Sequence, residues 1–484
     1  MLPGSRAATR LGAHPSNLSS SAKSRPLLGG FFLEFALPPL SQQFNMQGIM
    51  GSLAAGLPAK TTHSCQMQAH NVSETAKVLG AKRAGGNAAM LARLFLVVAM
   101  ALAMTGCGSS AAQEVVISFG GDVNFVPSRT NPDPNFAQRG QRLSIDELTQ
   151  ALHSIWQESH INFVNVETVV SETNGARTGK TFVFRSHPQQ FRDLMGLGVN
   201  AFGLANNHTT DHGWPGIAST RAFFDQESAR GRAIVYAGIG TAQENFAPGI
   251  ARINGITVAM TALGIGTNGF APGEERPGAY NIRSGAHVDQ ALASLARAEA
   301  DIKLVSFHFG AENNLNATSE QNRLVRKALE DPNVDLVLGH HSHVPGPVMV
   351  DQDRHQAAFF SLGNYIFLGG ASKDGDPSTA DHGLVGQAYF SRVGGEFQLS
   401  AIRMTPLKGV HFQPRRLSDA AAQSRISHLN RLSRSNFSQS LAGEFTPIGA
   451  QGLMCIGPTY GPQARRLCCR GSGDGPSCVQ PQLQ

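Results

Sequence analysis

Short apolar runs that stop at polar residues recur along the middle of this chain, and they constrain its fold more than any other feature. The first run, Val115 to Phe119, stops at Gly120-Gly121-Asp122. Five later runs have the same form, at 161–167, 201–208, 302–308, 334–343 and 357–364. Short apolar runs of this kind are typical of strands that are buried on both faces of a sheet. They predict buried strands with polar residues at their carboxyl ends.

Segments with helical character lie between these runs. They occupy residues 144–158, 188–197, 217–230, 287–300 and 320–330. Strands that alternate with helices indicate an α/β sandwich. Ligands of such sheets bind at the carboxyl ends of the strands, so the polar residues that end the runs are candidates for a functional site.

The charge and cysteine distributions exclude two classes of protein. The net charge is +6, but residues 1–89 carry +6 and residues 413–484 carry +5, which leaves −5 for residues 90–412. No basic groove is indicated there, and we expect no nucleic-acid partner. None of the six cysteines lies between Gly108 and Met454. The central domain is therefore expected to use neither disulfides nor a thiolate metal site.

The sequence near the N-terminus predicts a lipoprotein signal peptide. Residues 1–89 lack periodicity, and we expect them to be a spurious or disordered extension ahead of a true start at Met90. Residues 90–106 resemble a bacterial secretory signal that ends in a lipobox, with Cys107 as the lipidated residue and 107–113 as its linker. An internal apolar helix that happens to end in Gly-Cys is the alternative. Since Gly108 is not the Asp associated with inner-membrane retention, outer-membrane attachment facing the periplasm is preferred.

The domain is expected to span residues 114–412, followed by a basic, low-complexity tail at 413–484. Four cysteines lie in this C-terminal part: Cys455, Cys468, Cys469 and Cys478. A metal knuckle formed by them is an alternative to a disordered tail.

Two carboxylates stand at the first strand ends. Asp122 follows two glycines, which permit a sharp turn, and Asn124 can point to the same side. A plain turn is the alternative for this motif. Glu167 ends a run that is expected to be buried, and burial of an unpaired carboxylate is costly. Either a cation or a buried Arg must compensate it.

Amides and imidazoles stand at the later strand ends. Asn206, Asn207, His208 and Asp211 follow one run, where an Asx-rich turn that caps the next helix is the alternative. His308 alone would fit a core histidine. The triple His340, His341 and His343 is hard to explain by packing, because a His-x-His pair at a strand end can direct two nitrogens to one centre. Taken together, this set of N and O ligands suits Mn²⁺, Fe or Zn²⁺, and it can supply two adjacent divalent ions.

These residues resemble, in order, the motifs of the CapA branch of the calcineurin-like metallophosphoesterase superfamily, which is named for poly-γ-glutamate capsule synthesis. The resemblance rests on six ordered motifs: Gly121-Asp122, Asn165-Val166-Glu167, Ala205-Asn206-Asn207-His208 with Asp211 and Gly213, His308-Phe309-Gly310 with Glu312, Gly339-His340-His341-Ser342-His343-Val344, and Ser361-Leu362-Gly363-Asn364-Tyr365-Ile366-Phe367. It covers about 300 residues of the sequence. It implies an α/β/β/α four-layer sandwich of the metallophosphatase type.

The resemblance also implies roles for the residues. The metal ligands would be Asp122, Asn124, Glu167, Asn207, His308, His341 and His343, with His340 as a competing choice in the last motif. Glu167 would bridge the two ions and His208 would be catalytic. Surrounding support would come from Asn206, Asp211, His340, Glu312 and Asn364. The superfamily normally opens with Asp-x-His, and the replacement of that His by Asn124 weakens one metal site.

The implied activity is phosphoester hydrolysis, in which His208 assists the leaving group. The family name adds capsule or poly-γ-glutamate synthesis or export at the cell envelope, with a phosphoester or polyglutamate-type substrate and the capsule machinery as partners. A polymer-binding or export factor without turnover is the first alternative. A general periplasmic phosphatase or nucleotidase is the second, and Asn124 argues against it.

Overall fold

The computed structural model describes residues 113–125, 143–173, 175, 177–368, 382–457 and 460–469. All of them belong to one compact unit, Ser109–Gln484. The predicted extension, signal peptide and lipidated Cys107 lie outside the described residues, as does the end of the chain after Cys469. Within the described ranges, no helix has both the length and the apolar character needed to cross a membrane.

Twenty strands lie within the described residues, and the first ten belong to the first half of the domain. They are β1 (Glu114–Asn124), β2 (Ile161–Val166), β3 (Val169–Val170), β4 (Arg185–Ser186), β5 (Ala201–Gly203), β6 (Val235–Ala237), β7 (Ile239–Gly240), β8 (Gly249–Ile253), β9 (Ile256–Gly264) and β10 (Gly278–Ala279). Those of the second half are β11 (Ile302–His308), β12 (Leu336–His340), β13 (Val348–Asp351), β14 (Gln356–Phe359), β15 (Asn364–Phe367), β16 (His382–Val393), β17 (Glu396–Lys408), β18 (Arg415–Arg416), β19 (Thr446–Ile448) and β20 (Gln451–Cys455).

The helices agree closely with the predicted segments, and two further helices follow in the C-terminal part. They are α1 (Ile145–Thr149), α2 (His153–Glu158), α3 (Pro188–Gly196), α4 (Gly213–Ala229), α5 (Gly285–Arg297), α6 (Ser319–Ala328), α7 (Asp419–Asn436) and α8 (Pro462–Cys468). A 3₁₀ turn, Gln150–Leu152, separates α1 from α2.

Local sequence signals explain where several helices begin. Ser144 and Glu147 form a capping box at α1, and Thr318 and Gln321 form another at α6. In each box the hydroxyl accepts the backbone N–H of the third helical residue, and that residue's side chain accepts the N–H of the capping residue.

Two large sheets form the core. The first has the strand order β19-β20-β17-β16-β1-β2-β5-β6, with β15 on β1 and β18 on β17, and the second has the order β13-β14-β12-β11-β9-β8. The strands β1, β2, β5 and β6 run parallel to one another, as do β9, β11, β12 and β14. The parallel centres of the two sheets therefore each gather several strand ends at one edge.

The packing of apolar side chains defines four layers. One buried cluster joins the inner faces of the two sheets and includes Phe119, Phe163, Leu304 and Leu338. A second cluster packs α1–α4 on the outer face of the first sheet, and a third packs α5 and α6 on the outer face of the second. The predicted α/β/β/α sandwich is confirmed.

The expected end of the domain at Phe412 is wrong. Strand β20 pairs with β17 and adds to the first sheet, and α7 packs on the same part of the fold. Ile426 and Leu429 of α7 and Met454 of β20 are buried in the cluster between the sheets. These apolar positions make the segment part of the core, although its composition is rich in Arg, Ser and Gln.

The expectation of a disulfide-free domain and the alternative of a cysteine metal knuckle are also wrong. Cys455 at the end of β20 is disulfide-bonded to Cys468 in α8, and Cys469 is disulfide-bonded as well. These sulfurs are therefore not available as thiolate ligands. Glu114 at the start of β1 accepts the backbone N–H groups of Gln463 and Ala464, each at 2.8 Å, and so holds the first turn of α8 against the sheet.

Candidate metal centre

The candidate site lies where strand ends of the two sheets meet. Asp122 lies near the end of β1 and Glu167 directly follows β2, both in the first sheet, whereas His308 ends β11 in the second. All three side chains are buried. Residues that are far apart in sequence come together because parallel strands present their carboxyl ends at the same edge.

The opening glycines allow a close approach of two backbone segments. A Cβ atom on Gly121 would lie 1.7 Å from the carbonyl oxygen of Gly363, so only glycine fits at this position. The same carbonyl accepts the N–H of Asp122 at 3.1 Å, and β15 pairs with β1 through Asp122 and Asn364. This pairing fixes the backbone that carries the Asp122 carboxylate.

Two groups of three side chains each place their ligand atoms within 4.8 Å of one another. One group is Asp122, Glu167 and His308, and the other is Glu167, His341 and His343. Glu167 belongs to both. An Oε1–Nε2 distance of 3.4 Å separates Glu167 from His308. This arrangement has the form expected of two neighbouring cation sites that share one carboxylate.

The carboxylates are poorly compensated by the protein itself. Three carboxylate oxygens are buried, namely both oxygens of Glu167 and Oδ2 of Asp122. None of them accepts a hydrogen bond from another described residue. Burial raises the pKa of Asp122 well above its ordinary range, and the nearby Glu167 carboxylate raises it further. Burial likewise raises the pKa of Glu167. Positive charge beside these carboxylates would favour their ionised forms.

Burial favours the neutral form of two imidazoles next to these carboxylates, and the neutral form is the one that binds metals. Burial lowers the pKa of His308 well below its usual value and lowers that of His341 to about 2. His343 is the exception. Burial lowers its pKa, but the carboxylates of Glu167 and Asp122 outweigh this effect and raise it.

Backbone geometry also marks the histidine loop. His341 and His343 both have positive φ values, of 92° and 57°. Such conformations are uncommon for residues other than glycine and persist only where the surroundings enforce them. The loop thus directs both rings toward Glu167 from a strained backbone.

Three asparagines fix the orientation of these ligands. Asn165 donates from Nδ2 to Asp122 Oδ1 at 2.8 Å and lies 3.1 Å from His308 Nδ1. Asn207 Oδ1 is 2.7 Å from His308 Nε2, and Asn364 Oδ1 is 2.8 Å from His343 Nδ1. Asn207 and Asn364 were singled out by the sequence, whereas Asn165 was quoted only as part of a motif.

The proposed catalytic His208 lies beside this cluster. Its Nδ1 is 2.6 Å from Asp211 Oδ2, and its Nε2 is 3.9 Å from Glu167 Oε1. Asn206 Oδ1 accepts the backbone N–H of His208, and Asn206 Nδ2 donates to the carbonyl of Val166. The turn is thereby tied to the end of β2.

Three further predicted residues occupy different surroundings. His340 is fully buried with Nδ1 3.6 Å from Asp122 Oδ1, and neither of its nitrogens has a hydrogen-bond partner among the described residues. Asn124 is buried at the end of β1. Glu312 is exposed, yet it is close enough to raise the pKa values of Glu167 and His343. The metal-binding role of Asn124 stays a prediction.

Sequence reasoning missed the residues that support Asp211. This carboxylate is fully buried, and it accepts hydrogen bonds from Lys180 Nζ at 3.0 Å and from the backbone N–H of Phe184 at 2.6 Å. The ring of Phe184 packs on His208 with a centroid distance of 4.1 Å. Lys180 and Phe184 lie between β3 and β4, where no pattern in the sequence pointed to the site.

The donor set fits divalent metal ions. It combines imidazole nitrogens with buried carboxylates, of which Asp122 Oδ2 and both Glu167 oxygens accept no hydrogen bond from the described residues. It contains no thiolate, and such a set suits Mn²⁺, Fe or Zn²⁺. A four-layer α/β/β/α sandwich with such a cluster at its strand ends defines a protein of the metallophosphatase fold.

A sequence model described as "Bacterial capsule synthesis protein PGA_cap" matches residues 116–368, and the chain belongs to this family. The predicted family is thus confirmed. The matched residues contain every residue of both ligand groups.

Two curated relatives agree with this assignment. The PGA biosynthesis protein CapA of Bacillus subtilis (strain 168) is 27% identical over 260 residues, which cover 53% of this chain and 65% of the relative. The capsule biosynthesis protein CapA of Bacillus anthracis is 26% identical, over 46% of this chain and 53% of the relative. The chain thus spans between about half and two thirds of these relatives. The crystal structure of a phosphatase from Mycoplasma pneumoniae is 14% identical and aligns over 62% of this chain and 95% of that chain with a TM-score of 0.36.

Proposed function

We propose that this protein is a metal-dependent phosphoester hydrolase that acts in the synthesis or export of a poly-γ-glutamate capsule at the cell envelope. The family and the names of the two CapA relatives support the capsule role. The ligand cluster supports the hydrolytic role. The substrate would be a phosphoester or a polyglutamate-type polymer, and the capsule machinery would be the partner.

The shared carboxylate is the observation that carries the proposal. Glu167 is fully buried and belongs to both ligand groups, and neither of its oxygens accepts a hydrogen bond from the described residues. An ionised carboxylate in such a place is strongly unfavourable unless cations bind it. Divalent ions held by Glu167 and the other members of the two ligand groups would supply that charge.

The residues of this centre would have two roles, holding the ions and orienting the side chains that hold them. Asp122, Glu167, His308, His341 and His343 would hold the ions, together with Asn207. When bound, such ions polarise a phosphoryl oxygen and lower the pKa of water. The protein itself would orient the ligands through Asn165 and Asn364, as the hydrogen bonds above describe.

His208 would donate a proton to the leaving group. Its Nδ1 is engaged by the buried Asp211, so its Nε2 is the atom that can donate a proton at the centre. Asp211 in turn is held by Lys180 and the Phe184 N–H. This support fixes the tautomer and orientation of the ring before substrate arrives.

An extracytoplasmic location has independent support from the cysteines. Disulfides persist in oxidising compartments and are rare in the cytosol. The Cys455–Cys468 disulfide and the disulfide-bonded Cys469 are consistent with export from the cytosol by the signal sequence that ends at the lipobox. We propose that the protein is lipid-anchored through Cys107 and faces the periplasm, with outer-membrane attachment preferred. Labelling with a fatty-acid probe tests this, since Cys107→Ala should abolish the label.

Hydrolysis is tested with a panel of phosphomonoesters and phosphodiesters on protein loaded with Mn²⁺, Fe²⁺ or Zn²⁺. We expect metal-dependent release of phosphate or alcohol. His208→Asn should lower kcat by about 10²–10⁴-fold while metal content is unchanged. Absence of any product from a protein that holds its metal would end the hydrolytic proposal.

A second candidate is binding of a polymer without turnover. The replacement of the usual His by Asn124 favours it, because it weakens one of the two metal positions. Under this proposal, metal-loaded protein would bind polyglutamate and leave every phosphoester of the panel intact. Genes for ligase and membrane partners beside this one would strengthen it.

A further inference from the structure

The segment between β3 and β4 is clamped over the candidate catalytic residue at two points. Lys180 Nζ donates to Asp211 Oδ1 at 3.0 Å, and four residues later the N–H of Phe184 donates to Asp211 Oδ2 at 2.6 Å. The short stretch between these anchors carries Phe182. Its position is therefore set by the same carboxylate that holds His208.

Phe182 is one of three large apolar side chains that are strongly exposed among the described residues, with 61% of its surface accessible. A single exposed apolar residue is ordinary on a protein surface. Phe182 differs in its placement, because its ring lies 6.4 Å from that of Phe184, which packs on His208 at 4.1 Å. The exposed ring is thus one residue layer away from the candidate acid.

A third ring extends this surface to the metal ligands. Phe367 lies 5.6 Å from Phe184 in an edge-on arrangement and 5.1 Å from the ring of His343. Phe184 and Phe367 are each only 8% exposed, whereas Phe182 faces solvent. We call Phe182, Phe184 and Phe367 the aromatic wall. It runs from solvent to the rings of His208 and His343.

We infer that the aromatic wall selects phosphoesters whose leaving group carries a planar aromatic ring. This inference rests on the proposed function and names its substrate class. The phosphoryl group would bind at the metal centre, and the ring of the leaving group would pack on Phe182 on its way out past His208. Aromatic rings prefer offset or edge-on contacts with one another, and such contacts are favourable beyond simple burial of area.

Binding of non-hydrolysable phosphonates tests the inference without requiring turnover. Methylphosphonate, cyclohexylphosphonate and phenylphosphonate are titrated into the metal-loaded protein by calorimetry. We expect phenylphosphonate to bind about fivefold to tenfold more tightly than methylphosphonate, the range that an aromatic contact supports. Phe182→Ala should remove most of that preference. Ile250→Ala is the matched control, because Ile250 is a similarly exposed apolar residue, 54% accessible, on the edge strand β8.

The outcomes separate this inference from the proposed function. Metal-dependent binding of methylphosphonate with no preference for the phenyl compound, or a preference that survives Phe182→Ala, would overturn the inference and leave the metal centre intact. Equal binding of the cyclohexyl and phenyl compounds would show that the aromatic wall accepts any apolar group. That result would also overturn the inference. If no phosphonate binds in a metal-dependent manner, both proposals fail.

Discussion

The substitution Glu167→Gln should change the stability of the protein in opposite directions with and without metal. In the metal-free protein, Glu167 is a buried carboxylate without hydrogen-bond donors and close to Asp122. Replacing the carboxylate by a neutral amide relieves about 1–3 kcal/mol, because an unpaired buried charge beside a second carboxylate costs more than a buried neutral group, and the Gln amide can donate to Asp122. The metal-free variant should therefore melt a few degrees higher than the metal-free wild type, at about 1–2 °C per kcal/mol for a domain of this size.

In the presence of metal the order should reverse. A ligand at one hundred times its Kd stabilises the folded state by about 2.7 kcal/mol, and two ions bound through Glu167 would add more. The variant lacks the shared ligand and should lose most of this stabilisation. Differential scanning calorimetry with EDTA and then with excess Mn²⁺ measures both effects on the same samples.

Glu114→Gln is the matched control, because Glu114 is also a buried glutamate. Both of its oxygens accept N–H groups of α8, so its loss should destabilise the protein by a similar amount with and without metal. If Glu167→Gln behaved in the same way as Glu114→Gln, Glu167 would be a structural residue and the reasoning about a shared metal ligand would be refuted.

Three further predictions concern the surroundings of the site and the fold. Asp211→Asn should destabilise the protein by about 1–3 kcal/mol in urea unfolding, because the fully buried side chain loses its charge-assisted hydrogen bond with the exposed Lys180; an unchanged midpoint would contradict this. A chain that ends at Phe412 should fail to give a cooperative melting transition, because it lacks the apolar residues of α7 and β20 that fill the space between the sheets; a cooperative melt would show that these elements are dispensable. Burial lowers the pKa of His160 below 6.5, so the unfolded state binds its proton more readily and stability should be lost as the pH falls below about 6.5. His160→Asn keeps an acceptor for the N–H of Val116 and should flatten part of that slope in melting curves recorded between pH 5 and 8; an unchanged slope would count against it.

The metal ligands could be found from the sequence because each one directly ends an apolar run. Asp122 and His308 lie at the ends of their strands, and Glu167 directly follows one. The apolar sequence of these strands predicts their burial, and their parallel order brings the ends together. His341 and His343 were readable from their spacing. Their positive φ values were not, because backbone strain arises from the folded surroundings.

The hydrogen bonds from Lys180 and Phe184 to Asp211 could not be predicted in this way. Lys180 and Phe184 stand about thirty residues away from Asp211 and in a segment with only two short strands, so neither periodicity nor a motif marked them. Contacts of this kind depend on how a loop crosses the sheet edge. The sequence carries no local signal for them.

The C-terminal segment shows a different failure, because a signal was present. In α7 the buried residues Ala422, Ile426, Leu429 and Leu432 recur at intervals of three or four, which is the pattern of an amphipathic helix. The many Arg, Ser and Gln residues between them favoured the interpretation of a disordered tail. The spacing of the apolar residues therefore predicts this helix better than the overall composition does.

Metal content of the purified protein tests the central claim most directly. Elemental mass spectrometry after loading with Mn²⁺, Fe²⁺ or Zn²⁺ should give two equivalents of metal per chain for the wild type and clearly less for His343→Ala. The Glu114→Gln protein should retain the wild-type content, because Glu114 lies at the start of β1 and binds α8. Absence of metal from the wild type after all three loadings would contradict the account, and the ligand cluster would then have to be explained without metal chemistry.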